Sequence, residues 1–409
     1  MSVQVQVARA VRSTQRPARD ALRWALPVFV VTRAVDAVFM AVASRFQVSL
    51  PPAPAGMFTY APKPADPGLF GVLTNWDGQW YQFIAEQGYQ VPAPGEHGAA
   101  DALWAWQFPP LYPFLVRALM VVTRMDFPHA AATLSLLAGA AAMVVLYLLL
   151  ERAGGRRVAR TGVLLANLFV SAPILGAAYS ASLSLLLLLS CLYAVSRHRY
   201  GAVLVLLVLL SLTRLITPPF AVVIAVHWYL RERGEQPSTV TRRQRVLLGA
   251  SAVYSVVGAF TWLSVGAAFI GPANGFARTE GQRSMAFGWF GASLRELDLP
   301  GLLGVVVLVS LTMLYAVSRR SSSWGVEMRA WFASYPFFLA AATSMHPGIL
   351  RYLLMVPTLP MVAAPAATLP VWARRSRLGV LVVIGLFAQY CYVRYLLVIP
   401  SHVAPVYLP

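Results

Sequence analysis

The chain has almost no lysine: of its 33 basic residues only Lys63 is one, the rest being arginine. Acidic residues are few as well, 15 in all, leaving a formal charge of +18. Such a charge would suit nucleic acid if a soluble face carried it. No soluble face is available, because 58% of the residues are hydrophobic and the mean hydropathy is +0.63. The arginines sit instead in short clusters between apolar runs, the distribution of membrane proteins with positively charged cytoplasmic loops. Cysteine is nearly absent, and Cys191 and Cys391 both lie inside apolar runs. They read as small core residues, neither a disulfide nor a metal site. Internal repeats are lacking too, which argues against the duplicated halves common in transporters.

What the chain does have is a series of runs near the roughly 20 apolar residues that cross a bilayer. Residues 1–23 carry Arg9, Arg12, Arg16, Arg19 and Arg23 and form a basic N-terminus placed in the cytoplasm. Residues 24–409 read as a single transmembrane domain. Its expected spans are 24–45, 129–150, 158–177, 181–196, 201–217, 218–230, 246–270, 301–318, 330–345, 352–371 and 378–399. The fold class expected is therefore an all-α polytopic membrane protein of about 11 helices. This topology puts 22 of the 33 basic residues on the cytoplasmic side. It requires that Gln107–Thr123, broken by Pro109, Pro110 and Pro113, dip into the interface without crossing. The first span holds Arg33 and Asp36 on one helical face. They read either as a mutual ion pair or as an arginine facing a cavity.

Between the first two spans, 47–124 forms a long outer segment with interfacial helices. Within it Asn75–Tyr89 has Trp76, Trp80, Phe83 and Ile84 at helical spacing, with Gln79, Gln82 and Glu86 elsewhere on the turn. The pattern predicts an amphipathic helix lying along a membrane surface. Asp77 stands where an N-cap is expected and Gly88 where the helix should end. Glu96, His97 and Asp101 follow, metal-compatible types without a dependable ligand spacing. No cofactor is expected; a divalent metal is not indicated, and the sequence leaves that requirement open.

Arginines on the outer side run against the positive-inside bias, so Arg214, Arg278, Arg283 and Arg351 each need a reason. One reason is phosphate, which a guanidinium grips through a planar fork. The other is snorkelling to lipid headgroups at a helix end.

The motifs also match a family. Trp76-Asp77-Gly78 with Tyr81, Ile84-Ala85-Glu86 and Gly88-Tyr89 resembles the first-loop signature of the PIG-V type mannosyltransferases, in the GT-C class of membrane glycosyltransferases. Phe108-Pro109-Pro110-Leu111-Tyr112-Pro113 is similar to that family's proline-rich segment, with weaker echoes at Leu212-Thr213-Arg214 and Arg351-Tyr352-Leu353. The resemblance implies a GT-C-like fold in the cytoplasmic membrane with its active site on the outer side. It implies mannose transfer from a polyprenyl-phosphate-mannose donor to a cell-envelope glycolipid or lipoglycan, with membrane lipids as surroundings. Asp77 occupies the place of the catalytic base. Trp76, Trp80, Tyr81, Glu86, Tyr112, Arg214, Arg278, Arg283 and Arg351 are the candidate substrate-binding residues. One position departs from the pattern: where the family carries an acid in Tyr-Ser-Glu-Ser-Leu, this chain reads Tyr179-Ser180-Ala181-Ser182-Leu183. That departure keeps open a non-catalytic partner of an envelope synthase, and a lipid-linked-sugar flippase would share many of the same features.

Overall fold

The structure is a computed structural model that describes residues 3–50, 61–93, 99–233, 240–271, 299–343, 348–366 and 368–399, of which 3–16 and 99–101 are described as backbone alone. Among them the regular structure is helical, with turns and short loops between the helices and an isolated antiparallel bridge between Leu50 and Lys63. The elements used below are α1 (Val3–Ser44), α2 (Gly68–Leu73), α3 (Asp77–Gln87), α4 (Ala99–Ala105), α5 (Leu111–Thr123) and α6 (Phe127–Asn167). They continue as α7 (Ala181–Ser196), α8 (Tyr200–Ser211), α9 (Pro219–Arg233), α10 (Arg242–Val257) and α11 (Thr261–Ile270). The last are α12 (Leu299–Val317), α13 (Val326–Ala342), α14 (Ile349–Leu353) and α15 (Val371–Tyr392).

Among the described residues five stretches are helices long and apolar enough to cross a membrane: Pro17–Ser44, Phe127–Asn167, Arg242–Ile270, Leu299–Val317 and Val371–Leu397. The architecture is that of an all-α, multi-pass membrane protein. The other expected spans are shorter pieces. α5, in the segment expected to dip into the interface without crossing, has 13 residues, about 20 Å of helix, short of the roughly 30 Å hydrocarbon core. α8 stops at Ser211 ahead of Pro218 and Pro219, so the run 201–217 is only partly helical. The run at 352–371 is no continuous helix either. It follows α14 as turns and a short 3₁₀ piece, Leu359–Ala363, because Pro357, Pro360 and Pro365 remove backbone donors.

The break at 158–177 shows how such interruptions survive in an apolar setting. The helix ends at Asn167 and resumes as the 3₁₀ turn Ala172–Gly176 around Pro173. Carbonyls freed at a helix end must find donors, and lipid supplies none. Arg33 Nη2 reaches the Asn167 carbonyl at 3.0 Å and its Nη1 donates to the Ala172 carbonyl. From the other side Gln389 Nε2 reaches the carbonyls of Asn167 at 2.8 Å and Phe169 at 3.1 Å. Arg33 also pairs with Asp36 at 3.0 Å, so this arginine is a buried strut joining α1 to the broken end of α6.

The turns rich in arginine collect at one end of the bundle. Within α6 the chain kinks at Gly155 (φ 78°, ψ 177°), beside Arg156 and Arg157. Arg156 pairs with Asp20 of α1 at 2.8 Å and Arg152 reaches the Ser196 carbonyl at 3.4 Å. A Cβ on Gly154 would lie 2.5 Å from the carbonyl oxygen of Ser323, which brings the α12–α13 turn to the same end.

Removing the strut tests this reading. Arg33→Leu leaves a buried carboxylate alone and should cost about 3–5 kcal/mol, seen as a lower unfolding temperature in detergent. The double change Arg33→Leu/Asp36→Leu should cost less than the single one. An equal or larger loss in the double variant would contradict the pairing.

Candidate active site

The site is built where the loop before α3 is pulled tight. Trp76 precedes the helix with φ 54° and ψ −117°, a conformation that costs a bulky residue about 1–3 kcal/mol. Its surroundings over-determine it. Trp76 Nε1 donates to the Leu397 carbonyl at 3.0 Å, and Asn75 Nδ2 reaches the same oxygen at 3.1 Å and Gln47 Oε1 at 2.8 Å. The Tyr179 hydroxyl donates to the Asn75 carbonyl at 3.1 Å. Next to it, Gly78 lets α3 approach the chain at Ala178, since a Cβ there would sit 3.2 Å from the Leu73 carbonyl oxygen and 3.5 Å from Ala178 Cβ.

This tension aims Asp77 inward. It is the first residue of α3, not the cap: the cap position falls to Trp76, with no side-chain capping bond. The Asp77 carboxylate instead accepts from Arg351 Nη1 and forms an ion pair with it. The Arg351 side chain is 6% exposed and that of Asp77 21%. Arg351 Nη2 reaches the Tyr352 hydroxyl at 3.3 Å, and the guanidinium lies over the rings of Tyr179 and Tyr352 at 5.4 and 5.2 Å. Arg214 stacks on Tyr352 as well, 5.5 Å from its centroid.

Ser180 ties this pair of arginines to α3. Its Oγ accepts from the Tyr81 hydroxyl at 2.7 Å and from Arg214 Nε at 3.4 Å. Burial, and after it the Asp77 charge, push the Tyr81 phenol up to about 12, so it remains a donor at neutral pH. Behind it the Tyr112 ring packs edge-on at 5.0 Å, its hydroxyl 2.9 Å from Ser135 Oγ.

Several polar atoms around this cluster have no hydrogen-bond partner among the described residues: Arg351 Nε, Arg214 Nη1 and the hydroxyls of Tyr335 and Tyr392. All four can donate. Buried donors left without acceptors are costly, and a set of them beside two guanidiniums suits an anion.

The structure thus brings Asp77, Arg351, Arg214 and Tyr81 together, with Trp76 and Tyr112 in support. Trp80 is buried against Phe108, with centroids 6.4 Å apart and rings nearly parallel. Glu86 is exposed at the other end of α3, bonded to Gln82 at 2.9 Å. Arg278 and Arg283 lie outside the described residues, as do Glu96, His97 and the side chain of Asp101. Among the described residues no three His, Cys, Asp or Glu side chains are gathered for a metal. The expectation that α3 lies along a membrane surface is corrected: Gln79, Trp80, Tyr81, Phe83 and Ile84 are all buried, because α4 and α5 pack onto it. Ser180 and Tyr352 were visible inside quoted motifs. Tyr335 and Tyr392 carried no signal, each lying in an apolar run.

No protein-family model matches the chain, and no curated protein matches it. Among solved structures it is similar to the crystal structure of the Archaeoglobus fulgidus oligosaccharyltransferase, tethered through a disulfide bond to an acceptor peptide containing the NVT sequon. The TM-score is 0.38 and the identity 12%, over 91% of this chain and 55% of that one. The chain therefore spans about half the length of that enzyme, and at this degree of likeness the match assigns no activity.

Lys63 provides a pH test of the loop that carries the site. Its ammonium donates to the Thr74 carbonyl at 3.3 Å, and burial lowers it from the usual 10.5 to about 8. The unfolded chain then holds this proton between pH 8 and 10.5 while the folded chain has released it, so stability should rise with pH across that window. Thermal unfolding of wild type and Lys63→Met should differ in slope there, the variant being flatter. Identical slopes would contradict the burial.

Proposed function

We propose that the chain is a membrane glycosyltransferase of the GT-C class. It moves mannose from polyprenyl-phosphate mannose to a glycolipid or lipoglycan acceptor on the outer side of the membrane. The observation that carries this reading is a carboxylate paired with one of two neighbouring arginines, with Arg351 Nε and Arg214 Nη1 left without an acceptor among the described residues. The identity of sugar and carrier rests on the motif resemblance around Asp77 and Phe108–Pro113. The outer placement is supported by the gathering of arginine-rich turns at the opposite end, which favours the cytoplasm.

The chemistry follows from the pair. A donor phosphate competes with Asp77 for Arg351 and finds Arg214 beside it. As the guanidiniums turn to the phosphate, the Asp77 carboxylate is released from its partner. It then takes the proton of the acceptor hydroxyl while the hydroxyl oxygen attacks the sugar's anomeric carbon. The bond from that carbon to the phosphate oxygen breaks, and the electron pair leaves with polyprenyl phosphate, whose charge the arginines stabilise. Attack from the face opposite the leaving group inverts the centre, so a β-linked donor gives an α-mannoside.

Ala181, fully buried at the start of α7 directly after Ser180, is the observation that favours a non-catalytic partner protein as the second reading. One assay separates them. With labelled polyprenyl-phosphate mannose in membranes, Asp77→Asn and Asp77→Ala should lower transfer by about 10²–10⁴-fold at equal expression. Transfer that is absent in wild type favours the partner or flippase reading, and transfer unchanged in both variants removes Asp77 from the mechanism.

A further inference from the structure

The bundle end remote from Asp77 holds a second polar group that this reaction does not use. α7 starts beside Ser180 and runs 16 residues, about 24 Å away. α8 begins there at Tyr200 and returns toward Arg214. At the far end His227 is a hub: Nδ1 lies 2.9 Å from Glu327 Oε1 and Nε2 lies 3.0 Å from the Tyr200 hydroxyl. Arg231 donates to the same hydroxyl and, at 3.5 Å, to Gln244 Oε1. Four helices, α8, α9, α10 and α13, are thereby fixed at one level.

Against this hub lies a cleft of about 390 Å³, whose lining includes His198, Arg199, Thr241, Arg243 and Leu247. Both arginines are exposed, and among the described residues neither has a carboxylate partner. Among the described residues the nearby acids are engaged elsewhere, Glu327 by His227 and Glu232 by Arg245 and Trp228. α10 opens with Arg242, Arg243 and Arg245 and has no acid in its first turn. Cations at that end of a helix add to its positive dipole and are unfavourable unless an anion answers them. A topological preference for arginine on one side explains the sign of this end, but not the gathering of cations around a preformed hollow.

We propose that this cleft binds a phosphate ester, held by the forked guanidiniums of Arg199 and Arg243. Below it Val205 of α8 and Val246 and Val253 of α10 are 60%, 62% and 66% exposed, an apolar path for acyl chains. The favoured source of the phosphate is therefore an anionic lipid headgroup, and a soluble phosphate ester has the same chemistry.

The test uses the purified full chain in neutral detergent, titrated with phosphatidylglycerol, with phosphatidylcholine and with inorganic phosphate, bound ligand being read by native mass spectrometry. Arg199→Gln/Arg243→Gln should weaken phosphatidylglycerol binding by at least about tenfold, and Arg199→Lys/Arg243→Lys by less. The control Arg319→Gln/Arg320→Gln, in the α12–α13 turn, should bind as wild type does. Inorganic phosphate bound by wild type and lost in the cleft variant, without preference for the anionic lipid, assigns the cleft to a soluble ester. Equal binding of both anions by wild type and the glutamine variant would overturn the proposal, as would an equal loss in the control. Unfolding temperatures of all variants verify that these exposed substitutions leave the fold intact.

Discussion

A buried guanidinium needs a negative partner, and the organisation of the candidate site follows from that need. Arg351 and Asp77 are 274 residues apart in sequence, yet the arginine is almost wholly enclosed. Removing one member of such a pair is far more costly than forming it is favourable. The contact therefore fixes where α14 stands relative to α3. The strained backbone at Trp76, the two bonds to the Leu397 carbonyl and the close seam at Gly78 all hold the carboxylate in place. Strain held by several independent contacts marks a position where geometry matters to function. A pair that is complete without ligand, beside donors that are not, is poised for exchange when an anion arrives.

A second constraint comes from the apolar surroundings. The helices that end at Asn167, Ser211 and Leu353 break off inside apolar runs, and each stop releases backbone groups that lipid cannot satisfy. Arg33 and Gln389 serve the first. Leu111 N donates to the Leu212 carbonyl at the second, and Trp331 Nε1 reaches the Met355 carbonyl near the third. The same stops carry the chain's polar side chains to one level. Ser180, Arg214 and Arg351 all lie just beyond or within such interruptions, which is why residues from distant runs meet there.

Much of this was legible in sequence. The bounds of α3 could be read from Asp77 and from Gly88, which ends the helix at φ 79°, and the helical membrane character from the apolar runs. The breaks were harder, because hydropathy scores Pro173, Pro357 and Pro360 within their runs without registering the donor each removes. α3 looked amphipathic because Gln79 is polar, but packing by α4 and α5 buried that face too. The meeting of Asp77 with Arg351 is a long-range contact that no local pattern encodes. Arg33 left two readings open, and only the position of the α6 terminus shows it to be a strut. Tyr335 and Tyr392 were hidden for the converse reason: an aromatic in an apolar run reads as core until its hydroxyl is seen buried with no hydrogen-bond partner among the described residues.

The central claim is that Asp77 and an incoming phosphate compete for one guanidinium. Affinity for polyprenyl phosphate, measured on purified wild type and Asp77→Asn, tests it most directly. Competition requires that the variant, unable to transfer sugar, bind the lipid phosphate more tightly than wild type does, with Arg351→Gln binding it more weakly than either. Equal or weaker binding by Asp77→Asn would show that Arg351 is no phosphate ligand held in check by the carboxylate, and the account of the site would fail.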